Sequence, residues 1–147
     1  MSAPRRALAA LVLLGAVAPA LGLDFRSMAE PAVMYDAPST KAKPLFVVSR
    51  YTPVEVVVAL EGWLKVHDAA GGLAWVERRL VAEQRTASVK VPRAQVRAQA
   101  DESAPLVFEA ERDVVLEFVE AAPPGWVKVR HRDGQTGYVR ATQIWGL

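Results

Sequence analysis

Three basic side chains near the carboxyl end of the chain have the types and spacing to hold an anion. Lys128, Arg130 and Arg132 alternate along one segment, so on a β-strand they would project to the same face. Such a face could bind a carboxylate-bearing ligand. The same pattern also suits a solvated outer face, with Glu117 and Glu120 as cross-strand partners. Both interpretations remain open from the sequence.

Aromatic side chains beside turns form a second candidate group. Trp63 and Trp126 each follow a glycine, where an amphipathic ring could stack on a sugar or peptide, or could instead cap a small barrel. Turn-like or terminal neighbours make three more aromatic residues candidates for exposed ligand contacts: Tyr35, Tyr51 and Trp145. Three further aromatic residues lie at strand positions and are predicted to pack in the core: Trp75, Phe118 and Tyr138.

Catalytic and metal-binding groups are poorly represented. The chain has no cysteine and two histidines, His67 and His131, which excludes a cysteine nucleophile and leaves no plausible zinc ligand set. The serines lack a nucleophile motif, and Gly71-Gly72 lacks the spacing of a phosphate-binding loop. The sequence therefore predicts a protein that is not an enzyme and needs no cofactor or metal.

The first 22 residues have the anatomy of a cleaved signal peptide. Arg5 and Arg6 precede a short apolar run, and small residues follow, with cleavage expected near Ala20 to Gly22. The run is shorter than the ~20 residues of a spanning helix, so we expect no stable membrane anchor after cleavage. Removal of this segment leaves 16 basic and 16 acidic residues. A formally neutral, exported product argues against nucleic acid as a partner and predicts a periplasmic or secreted location.

A repeat organises the remaining chain. GWLKVHDAAGGLAWV, residues 62–76, aligns without gaps with GWVKVRHRDGQTGYV, residues 125–139, and six of the fifteen positions are identical. At the same offset, Val33 lies opposite Val96. We therefore predict homologous units at 32–82 and 95–147, a short leader at 23–31 and a linker at 83–94.

The elements that position these residues are predicted to be short β-strands. Apolar residues recur with a period of two, as in Val127-Lys128-Val129, and no amphipathic helix is evident. Turn residues are frequent, and Asp133-Gly134 is a hairpin signal of the type I′ kind. In about fifty residues, a bent sheet folded on itself encloses a core better than a flat one. The fold class is thus all-β, with two small barrels in tandem.

The second GW segment, GWVKVRHRDGQTGYVRATQIW, resembles the carboxyl half of an SH3 domain, and the chain resembles tandem bacterial SH3 (SH3b) domains of exported proteins. This resemblance implies two five-stranded SH3-like barrels, with the segment from Ala141 to Ile144 in the place of a one-turn helix. The proline that follows the GY tyrosine in eukaryotic SH3 domains is replaced here by Arg140 and Ala141. The resemblance therefore does not imply recognition of proline-rich peptides.

What the resemblance implies about function is non-catalytic binding to cell-wall polymer, such as peptidoglycan, or to an envelope protein. Two alternatives stay open: an accessory or regulatory subunit of a cell-wall enzyme, and a structural protein that self-associates through strand edges. The oligomeric state and the identity of the ligand do not follow from the sequence.

Overall fold

The computed structural model describes residues 23–147, and the predicted signal peptide lies outside the described residues. The first unit is a seven-stranded antiparallel sheet in the order β3-β2-β6-β5-β4-β1-β7. Its strands are β1 Asp24–Met28, β2 Ala32–Tyr35, β3 Pro44–Val48, β4 Pro53–Leu60, β5 Trp63–His67, β6 Leu73–Glu77 and β7 Val81–Ala82. A 3-10 turn, Arg78–Leu80, separates the last two strands.

The second unit repeats this sheet strand for strand, in the order β10-β9-β13-β12-β11-β8-β14. Its strands are β8 Thr86–Val89, β9 Arg93–Arg97, β10 Leu106–Glu111, β11 Val115–Ala121, β12 Trp126–Arg130, β13 Thr136–Arg140 and β14 Ile144–Trp145. The 3-10 turn Ala141–Gln143 precedes the last strand, where a one-turn helix was expected. The prediction of an all-β chain with two tandem units is confirmed, and each sheet contains two strands more than the expected five.

One additional strand of each sheet lies in a segment predicted to be leader or linker. β1 occupies most of the expected leader and pairs with β4 and β7. β8 lies in the expected linker and pairs with β11 and β14. These strands are only four or five residues long, and each buries at least one polar residue, so neither shows the usual pattern of one apolar and one polar face. Ser27 in β1 and Thr86 in β8 are two of these buried polar residues.

The register of the two sheets corrects the upstream alignment of the repeat. Tyr35 pairs with Pro44, and Arg97 pairs with Leu106, so the equivalent residues are separated by 62 positions in this region. In the GW segments the separation is 63, because the turn before Trp126 is one residue longer than the turn before Trp63. Val96 is therefore the equivalent of buried Met34, and Val33 is not its counterpart.

Alternate side chains of the strands fill one apolar core in each unit. In the first core the fully buried side chains include Met28, Met34, Leu64 and Val76. In the second core they include Val89, Val96, Leu116 and Val129. Each such burial contributes roughly 1.5–3 kcal/mol of transfer free energy, which is how sheets of this size remain stable.

The hairpins after β5 and β12 have three-residue loops closed by a glycine. In the second unit the Gly134 amide donates to the His131 carbonyl at 2.9 Å, and Gly134 has φ +94°. Asp133 keeps a negative φ, so the turn is a type I turn followed by a left-handed residue, and not the type I′ turn expected from Asp-Gly. Gly71 has the equivalent role in the first unit, with φ +93°.

The two units contact each other through a few specific residues. The ring of Trp145 meets that of Phe25 edge to face, with centroids 5.2 Å apart. The Thr86 hydroxyl donates to the Tyr51 carbonyl at 2.6 Å. A Cβ at Gly146 would lie 2.6 Å from the Thr86 carbonyl oxygen and 3.0 Å from the Pro53 side chain. The carboxyl end of the second unit is thus packed closely against the start of β4.

Candidate functional site

A row of paired residues crosses five strands on the outer face of the first unit. Val58 pairs with Lys65, Lys65 with Trp75, Trp75 with Tyr35, and Tyr35 with Pro44. Directly paired residues of antiparallel strands project to the same face, and the neighbours of these residues along each strand include the core residues. We call these five residues the outer row of the first unit.

The aromatic rings at this row are close together. The rings of Tyr35 and Trp63 meet edge to face, with centroids 5.8 Å apart. The Lys65 ammonium lies 5.9 Å from the centroid of the Trp75 ring. Leu60, which is 45% exposed, pairs with Trp63. The structure thus brings two predicted ligand-contacting residues, Tyr35 and Trp63, into one partly exposed aromatic group.

Trp75 belongs to this group although its strand position predicted core packing. It alternates with buried Ala74 and Val76, and this alternation places its partly exposed ring on the outer face. The Leu-Ala-Trp-Val-Glu pattern in the sequence has apolar residues on both faces, so alternation alone could not decide which face is buried.

The equivalent row of the second unit has the same pairing pattern but contains more charged residues. Glu120 pairs with Lys128, Lys128 with Tyr138, Tyr138 with Arg97, and Arg97 with Leu106. The Lys128 ammonium lies 5.9 Å from the Tyr138 ring centroid, as in the first unit. The essential difference is therefore that Val58 and Tyr35 of the first unit are replaced by Glu120 and Arg97.

The ring of Trp126 is buried, whereas the ring of Trp63 is partly exposed. The Arg140 guanidinium lies over it, 4.4 Å from the ring centroid, and Arg140 also donates to Glu102 at 2.6 Å. Only 7% of Trp126 is exposed. The structure therefore places this predicted candidate beneath an ion pair, a position that the repeat of the GW motif did not reveal.

The three alternating basic residues lie in three different environments. Lys128 lies over Tyr138 and opposite Glu120, whereas Arg130 forms an ion pair with Glu117 at 3.4 Å. Both expected acidic partners are thus the cross-strand neighbours of basic residues. Arg132 lies beyond the end of β12, in the hairpin loop, and is exposed.

The other two aromatic candidates lie where the units meet. Trp145 is partly buried against Phe25, and its ring centroid is 6.5 Å from that of His67. Tyr51, in the turn between β3 and β4, has φ +69° and lies beneath the Arg50 guanidinium, 4.8 Å from its ring centroid. Neither residue belongs to the aromatic group around Tyr35.

A cleft of about 270 Å³ opens between the units beside Tyr51. The second unit supplies Thr86, Glu117, Arg130, His131 and Arg132, and the segment between the units supplies Gln84. Tyr51, Arg130 and Arg132, three residues selected from the sequence, therefore line one cavity. Gln84 and Thr86 were missed because they lie in the segment predicted to be a linker.

Local hydrogen bonds shift the pKa values of three ionisable side chains. Backbone N–H donation from Ser103 and Gln135 lowers the pKa values of Asp101 and Asp133 respectively, because it stabilises the carboxylate form. Hydrogen bonding to Asp24 raises the pKa of Arg26.

Within residues 23–147 no group of three or more metal-ligating side chains could hold an ion. In the same range, no helix has the length and apolarity to cross a membrane.

Comparison with solved structures finds weak likenesses to proteins about twice as long. NlpC2 from Trichomonas vaginalis is 9% identical, with a TM-score of 0.39 over 84% of this chain and 48% of its own. NlpC1 from the same organism is 12% identical, with a TM-score of 0.40 over 92% and 50% of the two chains. A NlpC/P60 family protein from Bacillus cereus ATCC 10987 is 13% identical, with a TM-score of 0.37 over 82% and 55%. The chain thus spans about half the length of these proteins.

No curated protein matches the chain significantly. A family model does match: the bacterial SH3 domain, twice, over residues 28–83 and 90–146. These ranges contain both GW segments and all buried residues of the two apolar cores except Ala87 and Val89. The chain belongs to the bacterial SH3 domain family and contains two copies of that domain in tandem.

Proposed function

We propose that this chain is an exported, non-catalytic binding protein of the cell envelope, and that its first domain holds the ligand against the aromatic outer face. The ligand is cell-wall polymer or an envelope protein. Bacterial SH3 domains are typically binding modules, and they occur in extracytoplasmic proteins. The observation that carries the proposal is the partly exposed Tyr35–Trp63 ring pair, which the second domain lacks.

The chemistry of this face suits a sugar ring or a peptide plane. Tyrosine and tryptophan offer large apolar surfaces with a polar edge, and such residues contribute disproportionately to binding free energy. Val58 and Leu60, which are 39% and 45% exposed, extend the apolar surface beside them. Lys65 adds one positive charge at the row. A ligand that covers these rings would gain both stacking and apolar burial.

The matched residues of the second domain provide the control for this proposal. Purified protein is incubated with cell-wall sacculi and, separately, with envelope extract, and the retained fraction is measured. Tyr35→Ala with Trp63→Ala should weaken retention about tenfold or more, since interface tyrosines and tryptophans often cost ~2 kcal/mol when truncated. Arg97→Ala with Tyr138→Ala, at the positions equivalent to Tyr35 and Trp75 of the outer row, should leave retention unchanged.

Two results would contradict the proposal. One is the failure of the wild-type protein to be retained by either material. The other is equal loss of retention in the two double variants, which would remove any distinction between the domains. Circular dichroism and thermal unfolding of each variant would establish that the barrels remain folded.

Self-association is a second candidate function, favoured by edge strand β3. Leu45, Phe46 and Val47 on this strand are 43%, 40% and 69% exposed, and β3 has a paired neighbour only on its β2 side. An exposed apolar edge strand can pair with a second copy. Sedimentation velocity at several concentrations tests this function: a mass that stays monomeric at high concentration would exclude it.

A further inference from the structure

The cleft between the two domains has the composition of a binding site for an anion with an apolar stem. We propose that it binds a carboxylate-bearing peptide. Its basic wall is formed by Arg130 and Arg132, and its apolar wall by Tyr51 and Val115. It shares no residue with the outer row or with Trp63, so this proposal and the proposed function can fail independently.

The positive charge of the cleft is not required by the barrel. Arg130 and Arg132 occupy the positions that His67 and Ala69 hold in the first domain, which has the same sheet order and an equivalent loop. Arg132 is exposed and forms no ion pair within the described residues. A guanidinium without a partner at the mouth of a cleft is available for a ligand.

The balance of charge in the cleft favours a carboxylate. Glu117 already contacts Arg130 at 3.4 Å and partly neutralises it. A planar carboxylate matches the fork of Arg132 and requires about one positive charge. A phosphate dianion would need a second free cation for its second charge, and Glu117 would repel it more strongly than it repels a carboxylate.

The remaining lining explains why a peptide would suit the cleft better than a free carboxylate ion. The Gln84 side chain offers both a donor and an acceptor to a peptide group. The Tyr51 ring and Val115 can cover the aliphatic part of an acidic side chain. The Tyr51 carbonyl is fixed by the Thr86 hydroxyl at 2.6 Å, so this wall is positioned before the ligand binds.

Titration with the blocked tripeptide acetyl-glycyl-glutamyl-glycinamide, which carries a single carboxylate, tests the proposal when binding is followed by amide chemical shifts of the purified full-length protein. Shifts should concentrate at Tyr51, Gln84 and Gly134. Arg132→Ala should weaken binding about tenfold, as expected for loss of one hydrogen-bonded charge pair. The control Arg93→Ala removes the same charge from an exposed ion pair with Glu109, outside the cleft, and should change binding by less than twofold.

Matched ligands complete the experiment. The glutaminyl analogue of this peptide and inorganic phosphate should bind much more weakly than the glutamyl peptide, and weaker binding of acetate should show that the peptide stem adds affinity. Equal binding of phosphate, or equal weakening by Arg132→Ala and Arg93→Ala, would reduce the effect to general charge and overturn the proposal. Loss of binding of the glutamyl peptide in the Tyr35→Ala, Trp63→Ala variant would also overturn it, by assigning the peptide to the aromatic face.

Discussion

Replacement of Trp145 by alanine should loosen the two domains while leaving each barrel folded. Trp145 pairs with Ser88, and in the first domain the equivalent position, paired with Ser27, is Ala82. The repeat itself therefore shows that a barrel of this kind tolerates alanine there. What the indole adds is its contact with Phe25 and His67 of the other domain.

The size of the effect follows from the buried ring. A tryptophan buries about 150–250 Å². Assigning about half of this area, roughly 100 Å², to the first domain gives about 2.5 kcal/mol at ~25 cal/mol per Å². The edge-to-face pair with Phe25 adds about 1 kcal/mol. The Thr86–Tyr51 hydrogen bond, worth about 1 kcal/mol, would remain. Loss of about 3.5 kcal/mol should therefore remove most of the coupling between the domains.

Nuclear spin relaxation and chemical denaturation measure this coupling. In the wild type, both domains should tumble with one rotational correlation time and unfold together. In Trp145→Ala we expect shorter, domain-specific correlation times and a lower midpoint for the less stable domain, with amide shifts of both cores retained. An unchanged correlation time together with a stability change below about 0.5 kcal/mol would refute the argument that this ring joins the domains.

Three further predictions concern the barrels themselves. Leu64→Ala should destabilise the first domain by about 2–5 kcal/mol in chemical denaturation, because Leu64 is fully buried. Gly137→Ala should cost about 1–3 kcal/mol in the same assay, since a Cβ would lie 2.6 Å from the Val96 side chain. Donation from the Gln135 amide lowers the pKa of Asp133, so its carbon-13 titration midpoint should fall below ~3.9 and its stabilising effect should be present above that pH and decline as the pH falls.

Much of the fold could be predicted because the GW segments combine two independent signals. Alternation in Leu64-Lys65-Val66 indicates a strand with one buried face, and the glycines nearby indicate where it turns. Repetition of both signals in one chain makes coincidence improbable. β1 and β8 were not predicted as strands, because Ser27 and Thr86 are buried polar residues whose hydroxyl groups find distant backbone acceptors, Gln84 and Tyr51.

The candidate site was only partly predictable, because exposure of an aromatic ring depends on residues far away in the sequence. Trp63 and Trp126 have identical local motifs, yet Trp126 is covered by Arg140, which is held by Glu102 from the β9–β10 loop. Tyr35 lies beside Trp63 because sheet order places β2 next to β6. Neither arrangement is encoded in the spacing of the tryptophans.

Comparison of the two domains distinguishes residues that the barrel fold requires from residues that are specific to the surface of one domain. Lysine over an aromatic ring occurs at the same place and distance in both outer rows, so Lys65 and Lys128 belong to the shared framework. An acidic residue of β4 or β11 likewise contacts the end of the next strand in both, Glu55 with His67 at 3.5 Å and Glu117 with Arg130 at 3.4 Å. A surface feature that occurs in both domains can be explained by the needs of the fold. A feature that occurs in one domain alone is not needed for the fold and requires another explanation. The ring pair in the first domain and Arg132 in the second are of this latter kind, and ligand binding is the explanation that we propose for both.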